Sequence, residues 1–219
     1  MGSVADDLIH AFPEPMWPEA EAPVRLLLRR IEPFRFLPEE KEPFFIHVAV
    51  DGWPLAIPYR LYDDEGLPHV AAEHLFDAFA ELLHGRDLSE RQTLMFFCLL
   101  SRHHNGFVRE AALCRITAAR EAFIAPFVTQ LAAEYVYEIL LQIHLRMAEF
   151  DRPLFGAFLR ANPDFLSLSR QRMVSYWDTY YRHQDYTSAD GELCLHEGDR
   201  YIGFDIFDAF AAMARGDPS

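Results

Sequence analysis

Residues 89–100 read SERQTLMFFCLL, and this segment carries the clearest structural signal in the chain. Ser89 and Gln92 have the spacing of a capping box, in which each side chain accepts a hydrogen bond from the other residue's backbone N–H. The run from Leu94 to Leu100 is apolar on every side of a helix, which is typical of a helix enclosed by other elements. The segment therefore predicts a central helix that begins after Ser89.

Helical patterns occupy most of the remaining chain. Asn105-Gly106 indicates the C-cap of the central helix, and Gly85 ends an amphipathic helix before it. Asn162-Pro163 indicates an N-cap followed by proline at the first helical position. The predicted helices cover about residues 24–31, 70–84, 107–119, 122–133, 135–149, 163–183 and 201–215, and residues 184–200 are expected to form a loop.

A β-hairpin is predicted at about residues 44–62. Asp51-Gly52 is the strongest short hairpin signal in the chain, and an apolar, β-branched run precedes it. Alternate residues from Leu55 to Leu61 are apolar, so one face of the second strand is expected to be buried. Pro54 and Pro58 share the other register, which directs both missing N–H groups to an open edge.

The sequence predicts a flexible arm followed by one domain. Residues 1–23 contain four prolines and five acids but no base, which favours a loose acidic, proline-rich arm. Residues 24–219 are long enough to form a single mostly helical domain with a substantial core. The expected fold class is mainly α, with a small N-terminal β-hairpin.

One segment resembles a known repeat family. Residues 108–113 read VREAAL, which is similar to the V-R-x-x-A-L signature in the second helix of HEAT-type repeats. Residues 106–113 also align with 134–141 at an offset of 28, although Tyr137 replaces the arginine in the second copy. The resemblance covers about residues 90–150. It implies stacked antiparallel helical hairpins and a scaffold that binds another macromolecule rather than a catalyst.

The charge balance restricts the classes of partner. The chain has 20 basic and 34 acidic residues, a net charge of −14. Such a charge disfavours general binding to nucleic acids or anionic membranes and favours a basic partner. No apolar run approaches the length of a membrane span, and three cysteines without a C-x-x-C spacing favour a reducing compartment. The expected location is therefore the cytoplasm.

Known catalytic motifs are absent from the sequence. There is no G-x-G, G-x-S-x-G or H-E-x-x-H pattern. Glu134 and Glu138 share a helix face but lack the histidine three residues on that di-iron proteins use. We therefore expect no catalysis, metal or cofactor. The alternative is a helical enzyme with a carboxylate and histidine site; the residues it would draw on are Glu134, Glu138, His103, His104 and Asp178.

Residues 170–182, RQRMVSYWDTYYR, form the most unusual stretch. The simplest interpretation is a helix that packs its aromatic residues inward and pairs its arginines with acids. A second interpretation is a protein-binding surface, because Trp, Tyr and Arg are enriched at binding hot spots. The third is stacking of nucleobases on the aromatic rings, which the acidic net charge disfavours.

The function expected from these patterns is non-catalytic binding to a protein, one that is basic in character. Its most specific form is a bacterial-type immunity protein that neutralises a basic toxin or effector by direct binding. The alternatives are the helical enzyme and an Arg/aromatic nucleic-acid binder. The residues expected to contact the partner are Asp63, Asp64, Glu65, Asp77, Glu81, Asp87, Arg172, Tyr176 and Trp177.

Overall fold

A computed structural model describes most of the chain, and its described part is mainly helical with a small antiparallel β-hairpin near the N-terminus. This confirms the predicted fold class. Contacts divide the chain into two compact units, Met1–Ala119 and Arg120–Ser219. None of the described helices has the length and apolar character needed to cross a membrane. The described residues are 4–29, 45–62, 83–183, 185–187, 191, 194–195 and 199–217.

The first unit contains four described helices and one hairpin. Helix α2 packs against both α1 and α3, and α1 also contacts the second strand of the hairpin. The elements are α1 (Val4–Ile9), α2 (Trp17–Leu28), β1 (Phe45–Val50), β2 (Trp53–Pro58), α3 (Glu90–Leu100) and α4 (Gly106–Ile116), with a 3₁₀ turn at Glu14–Met16.

The N-terminal segment differs from the loose arm that its composition predicts. Residues 4–9 and 14–28 are helical, and Leu8 and Phe12 are buried. Two of the prolines in this segment lie in the first turn of a helix, where a missing N–H costs little. The acidic residues lie between apolar positions that face the core. The proline and acid content therefore did not indicate the helices that this segment forms.

Pro23 lies inside α2, and a side chain from α3 compensates for it. Because Pro23 has no N–H, the Glu19 carbonyl loses its helical donor. Nε2 of Gln92 donates to that carbonyl at 3.1 Å. Oε1 of Gln92 accepts from the Ser89 N–H at 2.9 Å, and Oγ of Ser89 accepts from the Gln92 N–H at 3.2 Å. The predicted capping box is confirmed, and its glutamine also satisfies the backbone of α2.

The predicted hairpin is confirmed, with its turn at Asp51-Gly52. Both turn residues have positive φ, 50° and 84°, as a type I′ turn requires. The register pairs Val48 with Leu55 and brings buried side chains of the two strands onto one face. On the outer edge of β2, the N–H of Ala56 donates to the His10 carbonyl at 2.8 Å.

The turn between α3 and α4 corrects one prediction. Asn105 is the N-cap of α4, not part of a C-cap of α3, because its Oδ1 accepts from the Phe107 N–H at 2.9 Å. Buried Arg109 donates from one Nη to the carbonyls of His103 and His104 at 2.9 and 2.7 Å. These bonds hold the backbone that leads into the cap.

A second buried arginine, Arg102, ties the hairpin to the same turn. Its guanidinium donates to the carbonyls of Pro58 and Tyr59 at 3.3 and 2.8 Å. The Leu61 N–H donates to the Arg102 carbonyl, and the Leu61 carbonyl accepts from the His104 N–H, both at 2.7 Å. An arginine can satisfy several carbonyls in this way because its donors form a rigid fork.

The described part of the second unit consists mainly of helices and includes two short strands. Helices α7 and α9 make its most extensive helix–helix contact, and α9 also packs on α6. The elements are α5 (Ala125–Leu131), α6 (Tyr137–Leu145), α7 (Arg152–Ala161), α8 (Pro163–Tyr180), β3 (Tyr186–Thr187), β4 (Cys194–Leu195) and α9 (Ile202–Arg215), with 3₁₀ turns at Ala122–Ile124 and Met147–Glu149.

Helix α7, which the sequence did not predict, crosses α9 at close range. A Cβ atom on Gly156 would lie 2.4 Å from the backbone oxygen of Met213, so only glycine fits at the crossing. Arg160 reaches the same end of α9, where it donates to the carbonyls of Met213 and Ala214 at 3.4 and 3.2 Å. Asp151 caps the start of α7 by accepting from the Leu154 N–H at 3.1 Å.

Helix α8 begins at Pro163, as predicted, but the cap chemistry differs. The Asn162 side chain does not cap α8; its Nδ2 donates to the Phe158 carbonyl at 2.8 Å and closes the end of α7. The helix ends at Tyr180, three residues before the predicted end. Asn162 therefore acts on the helix that precedes it.

The two aligned segments, residues 106–113 and 134–141, do not occupy equivalent positions in their helices. Helix α4 begins at Gly106, so Phe107 lies in its first turn. Helix α6 begins at Tyr137, so Tyr135, the aligned aromatic residue, precedes it by two positions. The HEAT-like stacking that this alignment suggested stays a prediction.

Candidate protein-binding surface

The second unit contains a continuous cluster of aromatic rings. Seven of the nine tyrosines belong to it, and each ring centroid lies within 6.5 Å of another tyrosine in the cluster. The rings come from the start of α6, the end of α8, strand β3 and the start of α9. The members are Tyr135, Tyr137, Tyr176, Tyr180, Tyr181, Tyr186 and Tyr201.

Three of these tyrosines, Tyr135, Tyr176 and Tyr180, form an exposed group that we call the tyrosine triad. Their centroids are separated by 5.7, 5.8 and 6.2 Å. Tyr135 and Tyr180 are 46% and 45% exposed, and Tyr176 is partly buried. At these separations the rings touch one another, so they make a continuous aromatic surface rather than a cage around a hollow.

The periodicity of α8 explains why this surface exists. Phe165, Ser169 and Met173 lie four residues apart and are buried along one stripe of the helix. The same stripe continues through Tyr176 and Tyr180, at the next helical spacings of three and four residues. The core-facing side of α8 therefore extends past the buried part of the unit and emerges as tyrosine rings.

Tyr181 connects the triad to the buried and partly buried tyrosines of the cluster. The Tyr181 hydroxyl donates to the Tyr135 carbonyl, which links the end of α8 to the residue before α6. The Tyr186 hydroxyl donates to Oε1 of Glu138 at 2.5 Å. Tyr201 is 1% exposed, and within the described residues its hydroxyl has no hydrogen-bond partner.

The environment of the cluster disfavours phenolate. Burial and, after it, the charge of Asp199 raise the pKa of Tyr137. Burial and then the Glu138 carboxylate raise the pKa of Tyr181. For Tyr201, burial is the largest cause of a strongly raised pKa. Two carboxylates, Asp199 and Glu138, therefore lie near enough to act on tyrosines of the cluster.

Trp177 borders the triad on the next position of α8. Its ring lies edge-on to Phe204 at 5.1 Å, and the guanidinium of Arg182 lies over it at 5.3 Å from the centroid. Nη1 of Arg182 also donates to Oδ1 of Asp178 at 2.7 Å. The arginine is thus held between an aromatic face and a carboxylate on the surface of the helix.

The predicted contact residues fall in several places. Tyr176 lies in the triad, Trp177 lies beside it, and Arg172 is partly buried one turn earlier on α8. Asp87 is exposed in the first unit, just before α3. The remaining predicted residues, Asp63, Asp64, Glu65, Asp77 and Glu81, lie outside the described residues.

The residues of the alternative enzyme site are divided between the two units. Glu134 is buried, Glu138 accepts from Tyr186 and Asp178 accepts from Arg182. The two histidines lie in the first unit, where Nδ1 of His103 accepts from a backbone N–H at 3.1 Å and its ring lies 4.4 Å from that of His104. Across the part of the chain that the structure describes, no group of three or more His, Cys, Asp or Glu side chains is arranged to hold a metal ion.

Sequence reasoning missed Tyr135 and Tyr180 as site residues. Tyr135 is separated from α8 by more than 25 residues in sequence, and only the fold brings the two together. The signal that was available is the density of tyrosine, because seven of the nine fall between residues 135 and 201.

Comparisons with known proteins give no match for this chain among family models, curated proteins or solved structures.

Proposed function

We propose that this chain is a non-catalytic protein-binding protein whose partner docks on the tyrosine triad. The observation that carries the proposal is the continuous surface of three tyrosine rings, two exposed and one partly buried, at the end of a helix stripe that is otherwise buried. Tyrosine and tryptophan are enriched at binding hot spots, where their rings lose water while polar tips keep hydrogen bonds. Trp177 and Arg182 extend the same composition next to the triad.

The contacts that already hold the triad favour binding, because they reduce the entropic cost of ordering its side chains in the complex. Tyr135 is held through the bond from Tyr181 to its carbonyl, and its ring touches both Tyr176 and Tyr180. Immobilising a flexible side chain at an interface costs about 0.5–1.5 kcal/mol, so rings that are already in contact lose less on binding.

The charge of the chain favours a basic partner. The second unit has 15 acidic and 9 basic residues, and the whole chain has a net charge of −14. Opposite net charges accelerate and orient association. The most specific form of the proposal is neutralisation of a basic toxin or effector by direct binding, as immunity proteins do.

Capture of partners by matched variants tests the proposal. The tagged protein, the double variant Tyr176→Ala/Tyr180→Ala and the control Phe107→Ala are each used to capture proteins from the source cell at low ionic strength. Phe107 is a suitable control because it is an exposed aromatic residue, 50% exposed, in the other unit. We expect a protein that binds the parent and the control but not the double variant. An identical set of captured proteins for all three would contradict the proposal.

A further inference from the structure

We infer that the tyrosine triad recognises a cationic side chain of the partner, an arginine above all, by stacking it on the tyrosine faces. This inference rests on the proposed function and specifies the chemistry of the group that docks. It follows from the exposed ring geometry, from a cation–aromatic contact that the chain already makes beside the triad, and from the charges around the cluster.

The contact between Arg182 and Trp177 shows which chemistry this helix surface accommodates. The guanidinium lies 5.3 Å from the ring centroid and donates to Asp178 at 2.7 Å, and both side chains of this ion pair are about half exposed. A cation within about 6 Å of an aromatic centroid is attracted by the negative face of the ring. Tyr176 and Tyr180 lie on the same last turns of α8 as Trp177 and Asp178, so a partner arginine would meet a similar aromatic surface.

The spacing of the triad suits a long cationic side chain. Adjacent centroids are 5.7–6.2 Å apart, so a guanidinium can lie over one ring while its methylene groups cover the next. The planar guanidinium stacks on an aromatic face more effectively than a compact ammonium does, because it is delocalised and more weakly hydrated. Arginine is therefore expected to bind more tightly than lysine.

The electrostatic environment favours a cation over a nucleic acid. Glu138 accepts a hydrogen bond from Tyr186 within the cluster, and Asp199 acts on Tyr137. The second unit has a net charge of −6, from 15 acids and 9 bases. Stacking of nucleobases on the same rings would bring phosphates toward these carboxylates, so a basic protein segment is the better match.

Titration with a synthetic peptide tests the inference. The probe is a short peptide in which arginine alternates with glycine, and the matched control replaces each arginine with citrulline, which has the same shape but no charge. The full-length protein is compared with Tyr176→Leu/Tyr180→Leu and Tyr176→Phe/Tyr180→Phe. All three have the same net charge, so binding by long-range attraction alone would not distinguish them.

We expect the arginine peptide to bind the parent and the Phe variant with similar Kd, and the Leu variant about tenfold more weakly. The citrulline peptide should bind none of them. Circular dichroism checks that each variant is folded. Equal affinity of the parent and the Leu variant, no binding of the arginine peptide, or tighter binding of an oligothymidylate would overturn the inference.

These outcomes are separable from those of the capture experiment. If the double alanine variant loses a cellular partner while the arginine peptide does not discriminate the Leu variant, the docking surface stands and its cationic ligand is wrong. If the alanine variant retains every captured protein, the docking surface itself is wrong.

Discussion

The hydroxyl of Tyr181 donates a hydrogen bond to the backbone carbonyl of Tyr135. Tyr181 is 6% exposed and Tyr135 is 46% exposed, so this bond joins the buried and exposed parts of the aromatic cluster. It also fixes the chain at the residue before the N-cap of α6. The position of one ring of the triad therefore depends on a phenol that does not itself reach the surface.

Replacement of Tyr181 with phenylalanine tests this dependence. The change keeps the ring contacts but leaves the Tyr135 carbonyl without its phenolic donor, and we expect the free energy of unfolding to fall by about 1 kcal/mol. Capture of the partner should also weaken, because Tyr135 is held less firmly. Urea denaturation and the capture experiment measure the two effects. Tyr176→Phe is the control, and a larger loss of stability in the control would contradict the assignment.

The buried tyrosines predict a specific response to alkali. Burial raises the pKa of Tyr181 and Tyr201 in the folded state above the value of about 10 that applies in the unfolded state. The unfolded state therefore loses these protons first. The stabilisation is complete below about pH 10 and is lost as the pH rises above it.

Absorbance of phenolate and circular dichroism, followed together against pH, check that response. We expect the buried phenols to ionise only as the helices unfold. The double variant Tyr181→Phe/Tyr201→Phe should show a weaker fall of stability with pH in the same range. Ionisation of all tyrosines before any loss of helix would show that burial does not control their pKa.

Gln92 should be sensitive even to a conservative change. Gln92→Glu keeps an oxygen for the Ser89 N–H but replaces the donor to the Glu19 carbonyl with a carboxylate. We expect a loss of about 1–3 kcal/mol in the free energy of unfolding, since an acceptor in α2 is left without a donor and meets a negative charge. Gln171→Glu, an exposed change of the same type on α8, is the control, and it should cost much less. Equal stabilities of the two variants would argue against the role of Pro23 in creating this requirement.

The crossing of α7 and α9 predicts that Gly156→Ala is destabilising. The added methyl group would lie 2.4 Å from the backbone oxygen of Met213, so the helices must separate. Overpacking of this kind costs about 1–3 kcal/mol, more than the improved helix propensity of alanine returns. Thermal unfolding measures the change, with Ala157→Ser at the next, exposed position as the control. A rise in Tm for Gly156→Ala would refute the close approach.

Two local signals in the sequence were reliable, whereas relationships between distant segments could not be predicted. The turn at Asp51-Gly52 and the capping box at Ser89 were predictable because neighbouring residues determine them. Asn105 was assigned to the wrong helix, since the same residue type serves at either end of a helix. The part of α2 that ends at Pro23 was not predicted as helix for another reason. The side chain that bonds to the carbonyl left free by this proline lies about 70 residues away in sequence.

The candidate site was predictable only in part for the same reason. The arginine and aromatic composition of residues 170–182 indicated Tyr176 and Trp177, but the sequence contained no indication that Tyr135 would lie against Tyr176. Helix α7 was not predicted although Asp151 and a proline mark its start, because the stronger signal at Asn162-Pro163 marks only the helix that follows. The net charge of −14 favours a basic partner but does not locate a binding surface.

The outer edge of β2 has a consequence for aggregation. Residues 54, 56 and 58 direct their backbone away from β1, two of them are prolines, and the N–H of Ala56 is already bonded to His10. Residues 54, 56 and 58 offer no free N–H to an incoming strand, so this edge of the hairpin is a poor template for a fibril-like sheet. Strand addition at this edge is therefore disfavoured twice, by two prolines that lack an N–H and by a hydrogen bond that already occupies the third.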